Sequence, residues 1–173
     1  MLHSNLVLIG MPGAGKSTTG VLIAKELRKN FIDVDLLIQE RESALLQEII
    51  ERVGFDGFLA IEESVLLGLE TDNAVIAPGG SIIYSEKAVE HLKKAGLFVY
   101  LKLGFREIKR RISNISSRGI VFGDGKGLHD LYEERTVLYE QYADLVIGCS
   151  GLSIEEVTQE VIRGYKSIHL KAN

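Results

Sequence analysis

The stretch GMPGAGKSTTG, Gly10 to Gly20, follows the apolar run LVLI of Leu6 to Ile9 without a spacer. Gly10, four intervening residues and then Gly15-Lys16-Ser17 match the phosphate-loop pattern, and the apolar run before it and the helical period after it supply the context that the pattern requires. Glycines let the backbone curl so that successive N–H groups turn toward phosphate oxygens, and the helix that starts near Lys16 adds its positive end. On this reading Gly13, Ala14, Gly15, Lys16, Ser17 and Thr18 cradle a nucleoside triphosphate. Lys16 neutralises the β and γ phosphates and the Ser17 hydroxyl takes one position on magnesium. The dinucleotide fingerprint needs G-x-G-x-x-G, and Lys16-Ser17-Thr18 follows Gly13-Ala14-Gly15 without the third glycine.

A phosphate loop of this kind sits in an α/β domain, and the rest of the chain is written accordingly. Short apolar runs predict strands at Asn5 to Ile9, Asn30 to Asp33, Ala74 to Ala77, Phe98 to Lys102 and Leu145 to Gly148. Helical periods predict helices near Lys16 to Arg28, Leu36 to Val53, Phe58 to Leu69, Glu86 to Ala95, Phe105 to Ile112, Gly127 to Tyr142 and Ser153 to Tyr165. The alternation implies an α/β domain in three layers, a central parallel sheet of about five strands with crossover helices, built around the phosphate loop. SNISSRGIVFGDGK, from Ser113 to Lys126, has neither period and reads as a mobile lid. With 173 residues, no repeat and no proline-rich linker, one domain over 1–173 is expected.

Composition narrows the partners. The net charge of −4 offers no electrostatic footprint for nucleic acid. No apolar run approaches a membrane span, and the amino terminus MLHSNLVLIGMPG carries no basic leader, so no membrane association and a cytoplasmic location are expected. Cys149 is the single cysteine, which excludes an internal disulfide and fits a reducing compartment. The four histidines have no metal-ligand spacing. A monomer is expected. The guanine-reading N-K-x-D sequence is absent and no further domain is present for a motor or helicase, which leaves a small-molecule kinase as the economical reading.

The second strand ends in FIDVD, with Asp33 and Asp35 two residues apart. Side chains at i and i+2 share a side in extended geometry, so one carboxylate could serve the metal and the other an acceptor hydroxyl. Alternatively one of them caps the following helix.

From the phosphate loop through FIDVD, FLAIEESVL, APGGS and EERTVLYEQYADLVI, the chain resembles the shikimate kinase family in order and spacing. The resemblance implies transfer of the ATP γ-phosphoryl group to a hydroxyl of shikimate. It implies that Asp33 supports magnesium, that Asp35 holds the acceptor hydroxyl, and that Arg135 grips the shikimate carboxylate. It further implies that Arg118 reaches the phosphates from the lid, that Arg110 or Arg111 packs on adenine, and that Gly79 and Gly80 form a turn whose N–H meets the acid. Three positions depart from the family pattern. Leu59 stands where the family has a second arginine on the carboxylate, Ser81 replaces the third glycine of a triplet and so brings the bulk of a side chain to a tight turn, and Gly119 follows Arg118 where proline is usual. The donor half of the pattern is intact and the acceptor half is altered, so a kinase of another small hydroxy compound and a non-catalytic ATP-binding relative stand as alternatives.

Overall fold

In the computed structural model, which describes residues 4–113 and 127–171, each apolar run has become a strand of one parallel sheet. The strands are β1 (Asn5–Ile9), β2 (Asn30–Asp33), β3 (Ala74–Ala77), β4 (Gly96–Lys102) and β5 (Leu145–Gly148), in the order β2-β3-β1-β4-β5. Burial follows position in that order. Every residue of β1 and β3 is buried, as is β4 up to Leu101, whereas β5 at the edge alternates between half-buried and exposed. Each fully buried Leu, Ile or Val on these strands contributes on the order of 1.5–3 kcal/mol, so the central strands supply much of the core.

The helices are α1 (Lys16–Leu27), α2 (Val34–Glu42), α3 (Leu46–Leu67), α4 (Glu86–Lys93), α5 (Phe105–Ser113), α6 (Leu128–Tyr142) and α7 (Ile154–Lys171). α1 packs against α7 and lies over β2 and β3, while α4 and α6 pack against β4. The chain leaves β1 toward β2 and β3 on one side and later returns to β4 on the other. This reversal opens a crevice at the carboxyl end of β1, where α/β sheets bind ligands. The expected α/β fold with five parallel strands is the one observed. The expected lid, Ser113 to Lys126, lies outside the described residues except for the backbone of Ser113 at the end of α5.

Several expected boundaries move: β4 begins at Gly96 and not Phe98, α7 runs on to Lys171 past Tyr165, and the largest changes fall in α2 and α3. The helix expected over Leu36 to Val53 is broken, because Ser43 adopts a left-handed conformation (φ 49°) and returns its N–H to the end of α2. Glu48 then accepts from the Leu45 N–H at 2.8 Å and starts α3. The gap expected before Phe58 is a kink within α3 at Gly54 (φ 70°, ψ −173°), a conformation that favours glycine. A 3₁₀ turn over Ile82–Tyr84, absent from the sequence reading, follows β3.

Candidate active site

A cleft of about 830 Å³ runs from the phosphate loop across the carboxyl edge of the sheet. At the donor end Gly13 and Gly15 hold φ of +78° and +96°, the left-handed region that only glycine enters without strain. Gly15 is the N-cap of α1 and has no side chain with which to cap the helix end. The first-turn N–H groups are therefore left for an anion. The side chains of Lys16, Ser17 and Thr18 all line the cleft. Lys16 donates to the Gly10 and Met11 carbonyls at 2.9 and 3.2 Å. Burial draws its pKa down to about 8, opposed chiefly by the Asp35 carboxylate. A partly desolvated cation hydrogen-bonded to neutral carbonyls gains strongly from a phosphate.

The two aspartates reach the cleft by a route different from the expected one. The chain turns into α2 immediately at Val34, so Asp33 is the helix N-cap, its carboxylate accepting from the Asp35 N–H at 3.1 Å, and Asp35 lies in the first helical turn. The shared side in extended geometry is thus corrected, since only Asp33 belongs to a strand. Both nevertheless line the cleft. Parallel pairing of Asp33 with Ala77 sets the end of β2 level with the Gly79-Gly80 turn.

Around that turn the part of the cleft away from the phosphate loop is built from separate elements. Arg135 on α6 is 2% exposed, and its Nη1 lies 3.0 Å from where a side chain on Gly80 would begin. The Tyr139 hydroxyl donates to the Gly80 carbonyl at 2.6 Å, one helical turn from Arg135. A side chain on Gly79 would collide with the Glu62 carboxylate and crowd Asp35. Glu62 is itself buried and accepts from the Ser81 hydroxyl at 2.5 Å through Oε2, while its Oε1 has no hydrogen-bond partner among the described residues. Burial raises its pKa to about 7, with Ser81 opposing the shift and Asp35 adding to it.

The two arginines proposed for adenine separate. Arg111 lines the cleft and donates to the Gly13 carbonyl at 3.2 Å, whereas Arg110 is largely exposed beside Glu107 and does not line it. Ile108 marks the buried face of α5, and Arg111, three residues on, shares that face while Arg110 does not. That spacing is a sequence signal which favours Arg111. Arg118 lies outside the described residues.

A family model described as shikimate kinase matches residues 12–166. The chain belongs to the shikimate kinase family. A shikimate kinase of Clostridium botulinum is 38% identical over 163 residues, covering 92% of this chain and 96% of that protein. One from Caldanaerobacter subterraneus is 36% identical over 164 residues, covering 93% and 95%. Among solved structures, a shikimate kinase from Acinetobacter baumannii in complex with shikimate superposes with a TM-score of 0.87 at 29% identity, over 95% of this chain and 93% of that one. Family membership makes the protein a phosphotransferase that uses ATP as donor. No helix among the described residues is long and apolar enough to cross a membrane.

Two of the three family departures gain a structural meaning. Leu59 does not line the main cleft but a separate pocket of about 190 Å³, shared with Glu62, Ser81 and Tyr84. Ser81, expected only to crowd a tight turn, supplies the hydrogen bond to Glu62. Gly119 lies outside the described residues.

Proposed function

We propose that the protein transfers the γ-phosphoryl group of ATP to a ring hydroxyl of shikimate. The observation that carries the reading is that one cleft holds both the phosphate cradle with Lys16 and Asp35 with the buried Arg135. Arg135 holds the acceptor carboxylate through charge-assisted hydrogen bonds, and the Gly79-Gly80 turn offers its backbone beside it. Asp35 accepts a hydrogen bond from the acceptor hydroxyl and takes its proton as the oxygen attacks the γ-phosphorus. The new O–P bond forms as the bond to the β,γ-bridging oxygen breaks, and ADP leaves. Lys16 and the first-turn N–H groups of α1 stabilise the charge that grows on the phosphate oxygens. The family pattern gives Arg118 a share of that charge and gives the adenine to the arginine pair of α5, where cleft lining favours Arg111.

The donor set also suits magnesium. Ser17 and Asp33 offer a hydroxyl and a carboxylate, and among the described residues no cluster of three or more acidic, histidine or cysteine side chains is arranged for a metal. Two hard oxygen ligands supplemented by phosphate and water are how magnesium is commonly held. Bound there, it would neutralise phosphate charge. A cytoplasmic location follows from the need for ATP and fits the single buried thiol.

Leu59 favours one second reading, a kinase of another small hydroxy compound, because the position where the family pattern has a second arginine is a leucine that lines the side pocket. A coupled ADP-release assay with shikimate and a panel of small hydroxy compounds, with product mass measured, separates the two. Shikimate-dependent ADP release with a product heavier by one phosphoryl group supports the first reading. Turnover only with another acceptor overturns it.

A further inference from the structure

A 3₁₀ turn normally holds its side chains loosely, but the Ile82–Tyr84 turn is fastened at both ends by consecutive glutamates of α3. Ser81, before it, donates to Glu62 at 2.5 Å, and Ser85, after it, donates to Glu63 at 2.6 Å. Ser85 also caps α4 by accepting from the Ala88 N–H at 3.1 Å. Tyr84 rides on this turn. Its hydroxyl donates to Glu134 at 2.7 Å and accepts from Arg135 Nε at 3.3 Å. Its ring lies 5.2 Å from the Arg135 guanidinium carbon, within cation–π range, and receives Phe55 edge-on at 6.2 Å.

Glu134 and Arg135 are adjacent on α6, where neighbouring side chains diverge by about 100° and do not face each other. Tyr84 spans them. Because a phenol has one proton, spending it on Glu134 turns a lone pair toward Arg135 Nε, and the hydroxyl is fixed in direction. The guanidinium plane is then set from its Nε edge, with Nη1 against Gly80. A guanidinium recognises a carboxylate through two parallel hydrogen bonds only if its plane is correctly oriented.

We propose that Tyr84 is a positioning residue for acceptor binding: held by the Ser81–Glu62 and Ser85–Glu63 fasteners, it fixes the plane of Arg135, and so offsets the missing second arginine at Leu59. The inference rests on the shikimate reading above. It also gives Ser81 a purpose, since the hydroxyl that departs from the family glycine is one of the two fasteners.

The test is steady-state kinetics of wild type, Tyr84→Phe and Tyr84→Leu, with Tyr132→Phe as control. Tyr132 donates to the Leu103 carbonyl at 2.9 Å from the same helix and does not line the cleft. Tyr84→Phe keeps the ring and should raise KM for shikimate about fivefold to tenfold, with kcat within about twofold and KM for ATP unchanged. Tyr84→Leu also removes the cation–π contact and should raise KM further. Tyr132→Phe should leave both constants unchanged. Wild-type turnover with an unchanged KM in Tyr84→Phe, or an equal fall in kcat for both Tyr84→Phe and Tyr132→Phe, would overturn the Tyr84 assignment alone. No wild-type turnover of shikimate would overturn the acceptor reading and this inference with it.

Discussion

The donor and acceptor ends of the cleft are made in different ways. At the donor end one continuous stretch, Gly10 to Thr18, supplies the cradle, and much of it is backbone set by glycines at positive φ. At the proposed acceptor end, side chains from α2, α3 and α6 converge on two glycines, and Ser81 and Tyr84 bond to two of those side chains, Glu62 and Arg135. A backbone cradle tolerates change around it, because its geometry is local. A convergent site depends on every element that delivers a side chain, and it is the end at which this chain departs from its family.

The two ends also carry opposite electrostatic tension. Burial depresses the Lys16 pKa and raises that of Glu62, since desolvation disfavours whichever form is charged. Removing each group should therefore affect a different property.

The largest effect is expected at the donor end. Lys16→Ala removes the half-buried cation from the phosphates and should lower kcat by about a thousandfold or more, several kcal/mol of transition-state stabilisation, with the fold intact. Single-turnover kinetics with circular dichroism as a folding control checks this. Near-wild-type turnover would break the donor assignment.

At the acceptor end, Glu62 binds its proton more tightly folded, near pH 7, than unfolded, near 4.5. Its contribution is thus full below about pH 4.5 and is lost as pH rises through about 7, at a cost of up to roughly 3 kcal/mol. Glu62→Gln keeps an acceptor for Ser81 but cannot ionise, so the fall in stability between pH 5 and 8 should flatten. Urea unfolding across that range measures it, and identical pH profiles for wild type and variant would remove the buried-acid account.

The smallest effect sharpens the comparison with the family. Leu59→Arg puts a guanidinium into the side pocket beside Glu62, where it competes with Ser81 for the carboxylate. If it reaches the acceptor, KM for shikimate should fall by about tenfold, or roughly 1.4 kcal/mol, with KM for ATP unchanged. An unchanged or higher KM would mean that the Ser81–Glu62 bond has committed this site to a single arginine.

How much of this was legible in the sequence follows from the same contrast. The strands and the phosphate loop are encoded in consecutive residues, so periodicity and spacing found them. The α2–α3 break was not legible, because Ser43 enters the left-handed region without the glycine that usually announces it. Asp33 and Asp35 are legible as a pair, and of the two geometries open to them the helix cap is the one observed, since Val34 is already helical. Ser81 was read by its bulk, and its bond to Glu62 depends on α3 packing beside the turn. Tyr84 carried no signal, because nothing in sequence relates it to Glu134 and Arg135, some fifty residues away.

The central claim is that ATP is held by the backbone cradle with Lys16 while the acceptor acid is held by Arg135. The most direct measurement is calorimetric titration of wild type and Arg135→Ala with shikimate and, separately, with ATP and magnesium. Loss of a charge-assisted clamp of about 1.5–3 kcal/mol should weaken shikimate binding by roughly tenfold to more than a hundredfold while the Kd for ATP stays within about twofold. Equal shikimate affinity in the two proteins, or equal loss of both ligands in a folded variant, would contradict it.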